Sequence, residues 1–156
     1  MRGKTARELT ESEIRDMAVR FLCRREYAME ELRQKLVLRG ADEILSQQVV
    51  GDLADENLVS DQRFTEMYVR ARIRRLFGPL KIRAELRGRG VSDQLISEEL
   101  PKEQSVWFGT ATQWASKRHS GELDYAKRAK IYRSLMNRGF THEQANVALD
   151  SINNEA

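Results

Sequence analysis

The chain is poor in the residues from which catalytic and metal sites are usually built. It has one cysteine in 156 residues, so no intramolecular disulfide can form. Cys23 sits in AVRFLCRRE, an apolar-periodic stretch, and reads as a small buried hydrophobe. The two histidines, His119 and His142, are far apart and lack cysteine partners, which excludes the common zinc spacings. There is no glycine-rich phosphate loop, and no nucleophile is paired with a base. The residues therefore imply no catalytic, cofactor or metal site, and the chain reads as a non-enzyme. Strand-type alternation is scarce, and QQVV is too short to outweigh its surroundings. No apolar run approaches the length of a membrane span, and MRGKTARELTESE lacks the apolar segment of a signal peptide. The absence of a disulfide fits a reducing cytosol, and no membrane partner is expected.

Helical periodicity punctuated by glycine is what the sequence does contain. Turn signals stand at Gly40, Gly78-Pro79, Gly90, Gly109, Gly121 and Gly139. Aligning the glycines exposes a repeat: ELRQKLVLRGA, KIRAELRGRGV and KIYRSLMNRGF share two apolar residues four apart, then Arg-Gly, then an apolar or small residue. The anchors are Leu32, Leu36, Arg39 and Gly40; Ile82, Leu86, Arg89 and Gly90; and Ile131, Leu135, Arg138 and Gly139. Each copy reads as a helix stopped by a glycine in left-handed conformation, followed by another helix; Ser92 and Thr141 are N-cap candidates. The spacing predicts helices over 14–25, 28–39, 43–56, 61–76, 79–89, 92–99, 103–119, 123–138 and 141–152. The fold class that follows is all-α, a tandem array of three three-helix repeats: a tail over 1–13, then repeats over 14–57, 58–100 and 101–156. Pro101 marks the boundary between the last two. Pro79 is tolerated in the first turn of its helix, where a missing N–H has no intrahelical partner. Phe77 is expected to close that turn. Trp107 and Trp114 are expected to pack against the helices that follow them.

Charge is unevenly spread. Residues 61–90 carry nine basic and three acidic side chains, a net of +6, within a chain whose total is +3. Arg70, Arg74, Arg75, Lys81, Arg83, Arg87 and Arg89 are candidates for contact with a polyanion. Guanidinium groups clustered at a helix junction suit phosphate or carboxylate, and no exposed aromatics are interleaved for base stacking. Contact with nucleic acid would thus be to the backbone. Arg72 points away from Arg70 on the same helix, which suggests a structural role beside a carboxylate of the first repeat. Asp61, after Ser60, reads as a first-turn or capping acid of its own helix.

REYAMEELRQKLVLRG, followed by LADENLVSDQRFTEMYVRARIRRLFGPLKIRAELRGRGVSDQLI, resembles the bacterial regulatory family RecX. The likeness covers residues 15–150 and is most specific at 58–70 and 77–91. Tyr27, Gly40, Asp61, Phe64, Tyr68, Arg72, Gly78, Pro79, Gly90 and Gly139 fall on the family pattern, mostly as fold-maintaining positions. Ala41 departs from it, standing where a large apolar residue is commoner. The resemblance implies a cytoplasmic, elongated, curved array that lodges in the groove of the RecA recombinase filament on single-stranded DNA. It also implies inhibition of strand exchange, ATP hydrolysis and coprotease activity. A monomer is expected, because the array can bury its own faces and no heptad seam is visible. The +6 segment leaves open an architectural protein that binds DNA without sequence preference. A helical scaffold for another protein is a third class.

Overall fold

The computed structural model describes residues 7–119 and 121–154, and every regular element within them is a helix. In chain order these are α1 Glu11–Arg24, α2 Met29–Leu38, α3 Glu43–Asp55, α4 Asp61–Arg74, α5 Pro79–Gly88, α6 Asp93–Glu99, α7 Gln104–Ser116, α8 Tyr125–Asn137 and α9 His142–Asn154. The helices gather into two compact units. One runs to Thr65 and takes in Arg89–Val91; the other comprises Glu66–Gly88 and the chain from Ser92 onward.

In the first unit, α1 begins three residues earlier than its apolar period suggests. Thr10 and Glu13 form a reciprocal capping box: the Glu13 N–H donates to Thr10 Oγ1, and the Thr10 N–H donates to the Glu13 carboxylate, both at 3.2 Å. Part of the expected tail is therefore helical, while residues 1–6 lie outside the described residues. The core is Ile14, Ala18 and Phe21 from α1, Leu32 and Leu36 from α2, and Val49, Val50 and Leu53 from α3. Cys23 is exposed, contrary to expectation. It lies two residues beyond Phe21, about 200° around the helix and so off the buried stripe.

The repeated glycines do end helices as the sequence suggests. Gly40, Gly90 and Gly139 have φ of +98°, +80° and +93°. Ala41 and Phe140 send their N–H back to the carbonyls of Leu36 and Leu135, 3.1 and 3.2 Å away. Gly90 has a second constraint, because a Cβ there would come within 2.6 Å of Glu30 Cβ. Leu76 ends α4 in the same geometry without being glycine: its φ is +66°, and the Phe77 N–H reaches the Arg72 carbonyl at 3.1 Å. That left-handed turn stops the helix at Arg74, two residues before the expected boundary. Gly109 is not a turn; it lies inside α7.

Asp61 does more than its position in α4 suggests. Ser60 Oγ accepts from the Arg63 N–H at 3.2 Å, which caps α4. The Asp61 carboxylate instead accepts from the Met29 N–H at 2.7 Å, at the start of α2, whose N-cap Ala28 has no side chain able to do so. Asp61→Ala is expected to destabilise the chain by about 1–2 kcal/mol, with Asp61→Asn recovering much of the loss, as urea unfolding would measure.

In the second unit α7 lies chiefly along α9. Trp107, Ala111 and Ala115 are buried from α7, and Ala145, Ala148, Leu149 and Ile152 from α9. The many alanines let the two backbones approach closely. Ile82 and Leu86 of α5, Ile96 of α6, and Ile131 and Leu135 of α8 are also buried. Pro101 lies between α6 and α7, and its carbonyl accepts from Trp107 Nε1 at 2.9 Å. Both expected N-caps form, Ser92 to the Leu95 N–H and Thr141 to the Gln144 N–H, each at 3.2 Å.

Candidate functional site

The Phe77-Gly78-Pro79 turn is anchored by main chain from the end of α8. The Gly78 N–H donates to the Arg138 carbonyl at 2.8 Å, and the Leu80 N–H donates to the Gly139 carbonyl at 2.9 Å. This approach leaves no room for a side chain: a Cβ on Gly78 would overlap the Gly139 backbone, and one on Gly139 would overlap Lys81.

Side chains stack over this contact. The Arg138 guanidinium carbon lies 3.7 Å from the centre of the Phe77 ring and 3.9 Å from that of Trp114. Arg72 lies 3.8 Å from Phe77, and Arg118 lies 3.6 Å from Trp114. Two guanidiniums that close to one ring must occupy opposite faces, so the order is Arg72, Phe77, Arg138, Trp114, Arg118. Each contact is a cation–π pair, worth about 0.5–2 kcal/mol depending on desolvation. Arg138 also donates through Nε to the Leu76 carbonyl at 3.2 Å and through Nη2 to the Arg75 carbonyl, holding the left-handed end of α4. Burial first, and then the neighbouring Arg118, Arg72 and Arg75, lower its pKa from the ordinary arginine value.

Arg72 pairs with Glu85 of α5 at 2.7 Å, not with a carboxylate of the first repeat. Glu85 also accepts from the Tyr68 hydroxyl. Burial pushes the Glu85 carboxyl up, but hydrogen bonds from Tyr68 and Arg72 outweigh it and hold the group below its ordinary value. A depressed carboxylate contributes stability that is fully present above its unfolded pKa and is lost as pH falls through the folded one. Glu85→Gln is therefore expected to cost about 2 kcal/mol at pH 7, and to flatten the decline in stability below about pH 4.5, in thermal melts between pH 3 and 7.

The seven basic candidates divide by what they touch. Arg83 donates to Ser97 Oγ at 3.3 Å, Arg87 pairs with Asp93 at 2.5 Å, and Arg89 lies 3.6 Å from Glu31 in the first unit. The Lys81 ammonium lies 5.2 Å from the Phe77 ring, with its stem against Gly139. Arg70, Arg74 and Arg75 are exposed and form no ion pair among the described residues. The free cationic surface is thus narrower than the sequence suggests and centres on the end of α4. Of the structural positions, Tyr27 is buried, with its hydroxyl accepting from Lys35 Nζ at 2.8 Å, and Phe64 is buried as well. Most of the guanidinium–ring stack was not visible in the sequence, because Arg138 is remote along the chain from both Phe77 and Trp114, and its main-chain partner Leu76 is 62 residues away; only the Arg118–Trp114 contact is local.

Residues 60–100 match the family model for the second three-helix domain of RecX, and residues 108–149 match that for the third. A RecX regulatory protein of Chromohalobacter salexigens is 44% identical over 138 residues, spanning 86% of this chain and 90% of that one. The chain belongs to the RecX family. A RecX of Halorhodospira halophila is 38% identical, over 86% of this chain and 85% of its own. The fold agrees with the crystal structure of RecX from Lactobacillus salivarius at a TM-score of 0.80, covering 94% of this chain and 97% of that one at 22% identity. RecX is a family of regulatory proteins built from tandem three-helix domains. No helix among the described residues is long and apolar enough to cross a membrane.

Proposed function

We propose that this RecX protein acts in the cytoplasm as a monomer, binding the RecA recombinase filament on single-stranded DNA and inhibiting its strand exchange, ATP hydrolysis and coprotease activity. Membership of the RecX family of regulatory proteins supports this reading. The observation that carries the surface is the exposed set Arg70, Arg74 and Arg75, which has no acid to satisfy it among the described residues. Guanidiniums so placed can pair with carboxylates on a protein or with phosphates in its bound DNA. The remaining basic candidates, already engaged within the fold, position this edge.

The test is DNA-dependent ATP hydrolysis by RecA assembled on single-stranded DNA. Addition of the purified protein is expected to depress the rate progressively. No effect at several-fold excess over filament-bound recombinase overturns the proposal. If the protein binds DNA with steep salt dependence yet leaves hydrolysis untouched, the architectural DNA-binding reading takes its place.

A further inference from the structure

The chain carries a second cationic feature, outside the 61–90 segment and of different build. Between the end of α7 and the face of α8 lies an open cleft of about 510 Å³, lined by Lys117, Arg118, His119, Lys127 and Lys130, with Ser134 and Ile131 at its floor. Among the described residues no acidic side chain lines it. Asp124, the nearest acid along α8, is used as that helix's N-cap and accepts from the Lys127 N–H at 2.8 Å.

Helix electrostatics accounts for only part of this arrangement. Lys117 and Arg118 follow the C-terminus of α7, where a cation offsets the partial negative charge of the helix end. Lys127 stands in the first turn of α8, at the positive end of that helix, where a cation is unfavourable. Lys130 lies one turn further along the same face as Lys127. Fold stability therefore gives no reason to aim these two lysines at Lys117 and Arg118. Arg118 is already oriented, because its guanidinium carbon lies 3.6 Å from the centre of the Trp114 ring, which Arg138 also contacts at 3.9 Å. A cation fixed before binding loses little freedom when an anion arrives.

We infer that this cleft binds the phosphodiester backbone of a nucleic acid directly, without the recombinase. The volume exceeds what a single phosphate fills, and the cations come from two helices, which suits consecutive phosphates better than one ion. Base stacking is excluded at the cleft: both faces of Trp114 are taken, and the exposed Tyr125 projects from the opposite side of α8 to Lys127 and Lys130. Recognition is thus of charge and spacing, with no sequence readout. The inference does not depend on the proposed action on RecA.

Fluorescence anisotropy of a labelled thymidine oligonucleotide, titrated with the full chain across a salt series and with no recombinase present, tests the cleft. Lys127→Gln/Lys130→Gln is expected to weaken binding about tenfold at low salt, and to make the log–log salt slope shallower by about 1.4, two contacts at about 0.7 each. Arg24→Gln/Lys102→Gln removes two exposed cations elsewhere and should change affinity less than twofold. Because Lys127 opposes its helix dipole, the cleft variant should melt no lower than the parent, so lost binding cannot be blamed on unfolding. Equal weakening by both double variants would reduce the effect to net charge and overturn the inference, as would no weakening by either. A cleft variant that loses thermal stabilisation by tripolyphosphate but keeps DNA affinity would mean that the site takes free polyphosphate. One that loses only filament inhibition would mean that it faces an acidic protein. Either result also overturns the assignment.

Discussion

Gly78→Val is expected to be among the most damaging single substitutions in this protein, lowering stability by about 3 kcal/mol or more. The reason is steric and has no soft escape. A side chain at residue 78 meets the backbone of Gly139 and Phe140, not the end of a flexible side chain. Relief would require the two turns to separate, breaking the hydrogen bonds from the Gly78 and Leu80 N–H groups to the carbonyls of Arg138 and Gly139. It would also pull Phe77 from beneath the Arg138 guanidinium and undo the stack through Trp114. For a chain of this size the expected fall in melting temperature is about 10 °C. Gly88→Val provides the contrast: residue 88 has open space around a Cβ, so the variant should melt within a few degrees of the parent. If the two variants melt alike, the turn-to-turn contact does not hold this part of the fold.

The second large effect separates structure from binding within one basic helix. Arg72→Glu places a carboxylate beside Glu85, with both sites about four-fifths buried, and removes the cation from the face of Phe77. It is expected to cost about 3 kcal/mol and to lose filament inhibition through loss of fold. Arg70→Glu/Arg74→Glu reverses two exposed charges with no ion partner among the described residues. That variant should unfold within about 0.5 kcal/mol of the parent, yet inhibit RecA-dependent ATP hydrolysis at least tenfold less effectively. Paired measurements of thermal unfolding and inhibition decide the matter. A double variant that inhibits as well as the parent would make the end of α4 an ordinary solvated face.

Helix count, helix order and the glycine stops were legible because they rest on local chemistry: a 3.6-residue period, left-handed glycines, and hydroxyl caps within three residues of the N–H they serve. The errors have the same origin. Leu76 adopts the conformation that glycine supplies at the other stops, so α4 ends before its apolar pattern does. Thr10 and Glu13 form a capping box ahead of the apolar stripe, so α1 starts before its apolar period does. Arg72 was separable from its neighbours by helical geometry, but its partner Glu85 was not identifiable from spacing. Of seven proposed contact residues, the structure leaves Arg70, Arg74 and Arg75 uncommitted: Asp93 meets Arg87 across the turn after α5, Lys81 lies by Phe77, and Ser97 and Glu31 are brought to Arg83 and Arg89 by packing that no periodicity encodes. Asp61 is the plainest case: an acid at a helix start predicts a local cap, and the N–H it serves is 32 residues upstream.

That long-range cap bears on the order in which the chain can mature on the ribosome. Domains tend to fold as their residues emerge, N-terminal first. Here α1, α2 and α3 share one core, yet the group that closes the first turn of α2 is synthesised only after α3 is complete. Until Asp61 leaves the exit tunnel, the Met29 amide must be served by water, and the three-helix core exists without its final fastening. The start of α4 thus belongs to the first core in time as well as in contact. The first three helices become a finished unit only when translation has begun the fourth.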